Sequence, residues 1–339
     1  VRDYWLPLPL APAAPGGLRL AGGWARFDRV LRLRRGARPA EMGAAEMPDD
    51  VLVRLTAPRP AVLGLGMDRP RLMGILNVTP DSFSDGGRLG DAQALRRAAE
   101  AMAEADILDL GGESTRPGAA EVPPEEEAAR VLPALAALAA LRGTAPISVD
   151  TRKAAVAEAA LEAGAGMVND VSGLRFDPGM APMLARRGAA LCLMHSRGTP
   201  ADMAGLAEYA DPLLDVYDAL EAAIDGAEAA GIARARIVAD PGIGFAKTPA
   251  QSMALIRGLA LFHGLGVPLL LGVSRKGLIG ARGGPSAARA RDRGPGTLAL
   301  TLAAAAQGVQ IHRVHDVASC AQGLALWRAG TDRGAGEEP

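Results

Sequence analysis

Eight short apolar runs, each ending in polar or glycine-containing residues, constrain the fold more than any other feature of this chain. They are RLMGILNVT (71–79), DILDLGG (106–112), PISVDT (146–151), MVNDVS (167–172), LCLMH (191–195), IVADPG (237–242), PLLLGVSR (268–275) and IHRVHD (311–316). Parallel strands buried on both faces read as near-continuous apolar runs of this length. Segments with helical spacing lie between them. In 211–230, Leu213, Leu214, Val216, Tyr217, Leu220, Ala223, Ile224 and Ala227 share one stripe, and Gly231 follows as the stop. In 124–142, Pro124 opens a run with three glutamates in its first turn, where the helix dipole favours negative charge. Strand then helix, eight times over, predicts an α/β chain with a (β/α)8 barrel, a TIM barrel, at 71–328. A doubly wound open sheet is the alternative, because counting strands does not prove closure.

Composition agrees. Of 339 residues 49% are hydrophobic and 22% charged, which supports a large core and excludes global disorder. Aromatics are only 3%, so Ala, Leu, Val and Ile must build that core. Lys and Arg number 37 against 38 Asp and Glu, so there is no basic field for nucleic acid and no polybasic membrane anchor. Two cysteines, Cys192 and Cys320, make neither a disulfide framework nor a CxxC pair, which suits a reducing cytosol. The start carries Asp3 and several prolines where a signal peptide wants a basic, then unbroken apolar, segment. No run approaches the ~20 apolar residues of a membrane span. The expectation is a soluble cytoplasmic protein. Residues 1–70 differ from the rest: Pro- and Gly-rich stretches, an alternating VLRLRR (30–35) and a strand-like DVLVRLTAP (50–58) predict a small β-containing N-terminal extension of unknown role. Residues 282–295 read as an exposed loop and 329–339 as a flexible tail.

In a (β/α)8 barrel the active site lies at the C-terminal ends of the strands. Those ends carry Asn77, Asp81, Glu113 to Arg116, Asp150, Asn169, His195, Asp240, Lys276, Arg313 and His315. Residues two apart on a strand project to the same side. Arg313 and His315 therefore stand together and suit a phosphate or diphosphate; the bland reading is an Arg313–Asp316 pair and a helix-capping histidine. Ser274 and Lys276 share a face in the same way, although Lys276 alone reads as a surface lysine. Asp150 and Asp240 are carboxylates at the ends of apolar strands. Each suits a helix cap taken singly; together with Asn169 they suit a flat heterocycle with an amidine-like donor edge. DPGIGF (240–245) lets a planar ring approach backbone closely. NVTPDSFSDGG (77–87) suits a lid or a surface loop, and the Asn77 amide oxygen suits Mg²⁺ beside a diphosphate. His195 reads as pocket lining or as a wall residue, and Cys192 as an inert core thiol. GxxxxGK[ST], HExxH and GxSxG do not occur, and the four histidines show no zinc spacing.

The motifs MGILNVTPDSFSDGG (73–87), DLGGESTRPGA (109–119), ISVDT (147–151), ND (169–170), LMH with GTP (193–200), DPGIGFAK (240–247), GVSRKGLIG (272–280), GTLA (296–299) and RVHDV (313–317) occur in order. On these residues the chain resembles dihydropteroate synthases, of the pterin-binding barrel superfamily, over roughly 71–328. The resemblance implies that Asp150, Asn169, Asp240 and Lys276 hold a pterin. It implies that Arg313 and His315 bind its diphosphate, with Asn77 on Mg²⁺. Thr115 matches a substrate-binding threonine; Phe83, Asp85, Arg116 and Pro117 lie in two loops that enclose p-aminobenzoate. A homodimer through late barrel helices and inhibition by sulfonamides are implied too.

The implied reaction joins 6-hydroxymethyl-7,8-dihydropterin diphosphate to p-aminobenzoate with loss of diphosphate. The aromatic amine is already neutral at pH 7, so the barrier is C–O cleavage, eased by charge stabilisation on the leaving group. Gly277 stands where many members have Ser near the p-aminobenzoate carboxylate, and Ser196 where Met is common. The extension is too short for a second folate enzyme. The rival readings are a non-catalytic pterin-binding paralogue and a pterin-barrel methyltransferase, which has no diphosphate to hold.

Overall fold

The computed structural model describes residues 2–11, 14, 16–78, 95–114, 118–141, 143, 145–199 and 201–331. The extension begins with four antiparallel strands, β1 (Tyr4–Pro9), β2 (Leu18–Arg19), β3 (Arg26–Leu33) and β4 (Ala40–Gly43), in which β3 pairs with each of the others. The segment expected to be strand-like at 50–58 is instead a helix, Asp49–Thr56. Pro48 stands at its N-cap, Asp49 and Asp50 fill its first turn, and Val51, Leu52 and Leu55 share the inward face. Helical spacing of those three outweighed the local apolar alternation.

Leu20, Phe27, Val30 and Leu55 close a small core over Ala260 on the outside of the barrel. Trp24 Nε1 donates to the Ala305 carbonyl at 2.7 Å, and Tyr4 Oη to Asp218 at 2.8 Å. Arg2 and Arg35 pair with acids of helix Pro212–Ala229. That helix buries the expected stripe, from Leu214 to Ala227, and Asp211 caps it by accepting from the Leu213 and Leu214 amides.

All eight apolar runs are strands. They are β5 (Arg71–Asn77), β6 (Ile107–Gly111), β7 (Ile147–Asp150), β8 (Met167–Asp170), β9 (Ala190–Met194), β10 (Ile237–Asp240), β11 (Leu270–Leu271) and β12 (Ile311–Val314). They form one parallel sheet in the order β10-β9-β8-β7-β6-β5-β12-β11. A parallel bridge between Ala239 and Leu269 joins the two ends, so the sheet closes into a barrel rather than remaining open. Met73, Ile107, Met167, Cys192, Val238, Leu270 and Ile311 fill its interior as one cluster. Val62, Leu63, Leu65 and Met67 pack onto that cluster, so residues 60–67, grouped with the extension by sequence, close the barrel. Residues 282–295 are mostly exposed, with two short 3₁₀ turns. The last helix, Val317–Thr331, continues three residues into the expected tail. Among the described residues no helix is long and apolar enough to cross a membrane.

Candidate active site

The side-chain period of a strand places the site. Two residues beyond the interior layer, the same inward face carries Asp109, Asn169, Asp240 and Arg313, and β7 contributes Asp150. Apolar floor gives way to polar mouth within one step of each strand.

Arg313 lies at the centre of this ring. Its Nε donates to Asp109 Oδ2 at 2.6 Å and its Nη2 to Asp150 Oδ2 at 2.6 Å. Asn169 Nδ2 donates to the same Asp109 oxygen at 3.0 Å. Asp109 Oδ1 and Asp150 Oδ1 are buried with no partner among the described residues. Burial pushes the Asp150 carboxyl up to about 7, against the pull of Arg313, and the Asp109 charge adds to the rise.

Across the mouth, Asp240 accepts from the Gly242 amide at 2.7 Å. Burial raises its pKa, with Lys276 opposing. Lys276 is half-buried, donates to the Ile243 carbonyl, and places its ammonium 4.3 Å from the centre of the Phe245 ring. Burial lowers it to about 8, with Asp240 holding it up. Two glycines line the mouth. A Cβ on Gly111 would stand between Asp150 Cβ at 3.5 Å and Asn77 Oδ1 at 3.6 Å, and one on Gly272 would be 4.0 Å from both Asp240 Oδ2 and Arg313 Cβ. His315 takes its orientation from Ser274, whose hydroxyl lies 2.9 Å from Nδ1 and accepts the His315 amide at 3.2 Å. Three carboxylates and two cations thus converge with an amide at one end of the barrel, an arrangement that suits a donor-rich heterocycle on one part and an anion beside it.

Residues 73–315 match the family model for pterin binding enzymes. Dihydropteroate synthase of Neisseria meningitidis serogroup C is 47% identical over 271 residues, covering 78% of this chain and 94% of that protein. The structure of Xanthomonas albilineans dihydropteroate synthase with 4-aminobenzoic acid aligns with a TM-score of 0.73 at 44% identity, covering 80% of this chain and 98% of that one. The Yersinia pestis dihydropteroate synthase in a sulfonamide drug complex aligns at 0.72 and 42% identity, over 78% of this chain and 96% of that one. This chain belongs to the dihydropteroate synthase family. It is an enzyme, a transferase of folate biosynthesis. Its length exceeds that of these dihydropteroate synthases, which are covered almost whole by about four fifths of it.

Of the residues that the family resemblance singled out, the structure brings Asp150, Asn169, Asp240, Lys276 and Arg313 together, with Asn77 and His315 at the same mouth. Arg313 does not pair with Asp316, which instead accepts from the Ser319 amide and hydroxyl. Nor is its guanidinium turned wholly to an anion: two of its nitrogens bond the carboxylates. Gly277 opens helix Gly277–Arg282, with nothing among the described residues within 4 Å of a Cβ built there. Asp81, Phe83, Asp85, Thr115, Arg116 and Pro117 lie outside the described residues. Sequence reasoning missed Asp109, fully buried in mid-strand. The available signal was its parity: it shares the inward face with Gly111 and pairs in register with Ser148, two residues before Asp150. His195 is a buried wall residue bonded to Lys247, and Cys192 is buried with its thiol pKa pushed up, as an inert core thiol should be.

Proposed function

We propose that this dihydropteroate synthase relative condenses 6-hydroxymethyl-7,8-dihydropterin diphosphate with p-aminobenzoate, giving 7,8-dihydropteroate and diphosphate. The observation that carries the reading is the convergence of Asp109, Asp150, Asn169 and Asp240 with Arg313, Lys276 and His315 at one mouth. The amidine-like edge of the pterin donates to Asp240 and Asp150, and Lys276 donates to its acceptor atoms. The methylene C–O bond breaks with its electron pair leaving on diphosphate, where Arg313 and His315 stabilise the charge. The cationic methylene left on the electron-rich pterin is favoured by the carboxylates beneath it. The neutral amine of p-aminobenzoate then forms the C–N bond and loses its proton to solvent or diphosphate. This route asks the protein for no nucleophile, only for charge stabilisation, orientation and exclusion of water.

Asn77 fits a hard cation: its amide oxygen faces the mouth beside Asp150. Among the described residues no group of three or more His, Cys, Asp or Glu could hold a metal ion, so Mg²⁺ would be held by Asn77 with substrate and water oxygens. When bound it supplies positive charge beside the leaving diphosphate. Sulfonamides compete with p-aminobenzoate by the same reading. Pairing through late helices as a homodimer belongs to the same reading, and two unpaired buried cysteines support a cytoplasmic setting.

The test is diphosphate release from the pterin diphosphate with Mg²⁺, with and without p-aminobenzoate. Release that requires p-aminobenzoate and yields dihydropteroate is expected. Pterin binding without product would make the chain a non-catalytic pterin binder.

A further inference from the structure

One amine ties the end of β9 to the loop that follows β10. Lys247 Nζ lies 2.9 Å from the Gly242 carbonyl, 2.9 Å from the Phe245 carbonyl, 2.8 Å from His195 Nδ1 and 3.3 Å from the His195 carbonyl. It is 8% exposed, and all four partners are uncharged acceptors or an imidazole nitrogen. Carbonyl oxygens only accept, so Nζ spends two protons on Gly242 and Phe245 whether it is an ammonium or an amine. His195 completes the set in either case, accepting from an ammonium or donating to an amine. Burial lowers the proton affinity of both groups.

The loop so gripped is pressed hard against β9. A Cβ on Gly242 would stand 1.8 Å from the His195 carbonyl oxygen. Gly242, Gly244 and Ala246 have φ of 67°, 81° and 47°. Glycine adopts such φ at no steric cost, whereas the conformation of Ala246 persists only where its surroundings over-determine it. Its shape makes the seat for Lys276, with the Ile243 carbonyl as acceptor and the Phe245 ring beneath the ammonium. Both carbonyls that Lys247 holds flank that seat, and one belongs to Phe245 itself.

We propose that Lys247, with His195, is a positioning residue: it shapes residues 240–247 into the seat of Lys276 beside Asp240, and so sets affinity for the pterin half of the substrate. The inference rests on the pterin reading of the site. The diphosphate half is assigned to Asn77, Arg313 and His315, and Lys247 makes no hydrogen bond to these among the described residues.

Calorimetric titration of the full chain with 6-hydroxymethylpterin, which carries no diphosphate, and separately with inorganic diphosphate and Mg²⁺, separates the halves. Lys247→Met is expected to weaken the pterin by at least about tenfold, or ~1.4 kcal/mol, and to leave diphosphate binding unchanged. In turnover the KM for the pterin substrate rises while that for p-aminobenzoate does not. His195→Asn keeps an amide able to donate or accept near the place of Nδ1 and is expected to retain pterin binding; His195→Leu is expected to lose it. Equal losses of both ligands, or unaltered pterin affinity in Lys247→Met and His195→Leu, overturn the proposal. Should Lys247→Met fail to fold, the two His195 variants decide alone. Failure of the unaltered chain to bind the pterin would overturn the pterin reading and this inference with it, whereas a binding chain with indifferent variants overturns the inference only.

Discussion

Replacing Asp150 by Asn separates the charge that the site needs from the charge that the fold tolerates. Asp150 is 6% exposed, one oxygen accepts from Arg313 at 2.6 Å, and the other is buried without a partner among the described residues. Burial lifts its pKa from 3.8 to about 7 in the folded chain. Between those pH values the folded chain keeps a proton that the unfolded chain releases. Stability from this group is therefore complete below about pH 4 and is lost as pH rises towards 7. The full shift corresponds to roughly 4 kcal/mol, and about 2–4 kcal/mol is expected because Arg313 also answers Asp109. The amide of the Asp150→Asn variant has no proton to lose, and its oxygen still accepts from Arg313. Urea unfolding of both proteins at pH 5 and pH 8 should show wild type losing about 2–3 kcal/mol relative to the variant, the part of the increment that falls above pH 5. The same substitution removes a charged acceptor from the pterin edge, worth about 1.5–3 kcal/mol, so pterin affinity should fall by one to two powers of ten. If the variant keeps the wild-type pH dependence, or is several kcal/mol less stable at pH 8, the Asp150–Arg313 pair is a net stabiliser and the reasoning fails.

Asp109→Ala takes from Arg313 one of two carboxylates and from Asn169 its acceptor, and should cost about 3–5 kcal/mol in the same unfolding assay; a loss under about 1 kcal/mol would mean that Arg313 rests on Asp150 alone. At Gly277 an added Cβ meets nothing within 4 Å among the described residues, so the fold should accept Gly277→Ser, and the KM for p-aminobenzoate should fall; an unchanged KM would show that the backbone already supplies the contact. Tyr4→Phe removes the 2.8 Å bond to Asp218 and should lower stability by about 1 kcal/mol with turnover unaltered, since the extension docks on the outer face of helix Pro212–Ala229. Altered kcat in that variant would give the extension a part in catalysis.

What could be read from sequence was whatever had a local cause. Parallel strands buried on both faces forced the eight apolar runs, and the polar residue after each run marked the mouth, which is why Asp150, Asn169, Asp240 and Arg313 were legible. The helix at Asp49–Thr56 was not, because in so short a segment three apolar residues satisfy either period. Asp109 and Asp170 show where local reading ends. Both are fully buried strand carboxylates. Asp170 turns outward and is satisfied by Ser172 and Leu174, two and four residues on, so its role is written in its own loop. Asp109 turns inward, and its Oδ2 accepts from Asn169 and Arg313, 60 and 204 residues away, partners that only barrel closure delivers. Lys247 is partly of the same kind: besides the Gly242 and Phe245 carbonyls of its own loop it bonds His195, 52 residues earlier. A charge inside an apolar strand is therefore best read by parity: where the residue two positions on also faces the mouth, the buried charge belongs to the site, and a distant partner of opposite sign should be sought on another strand end.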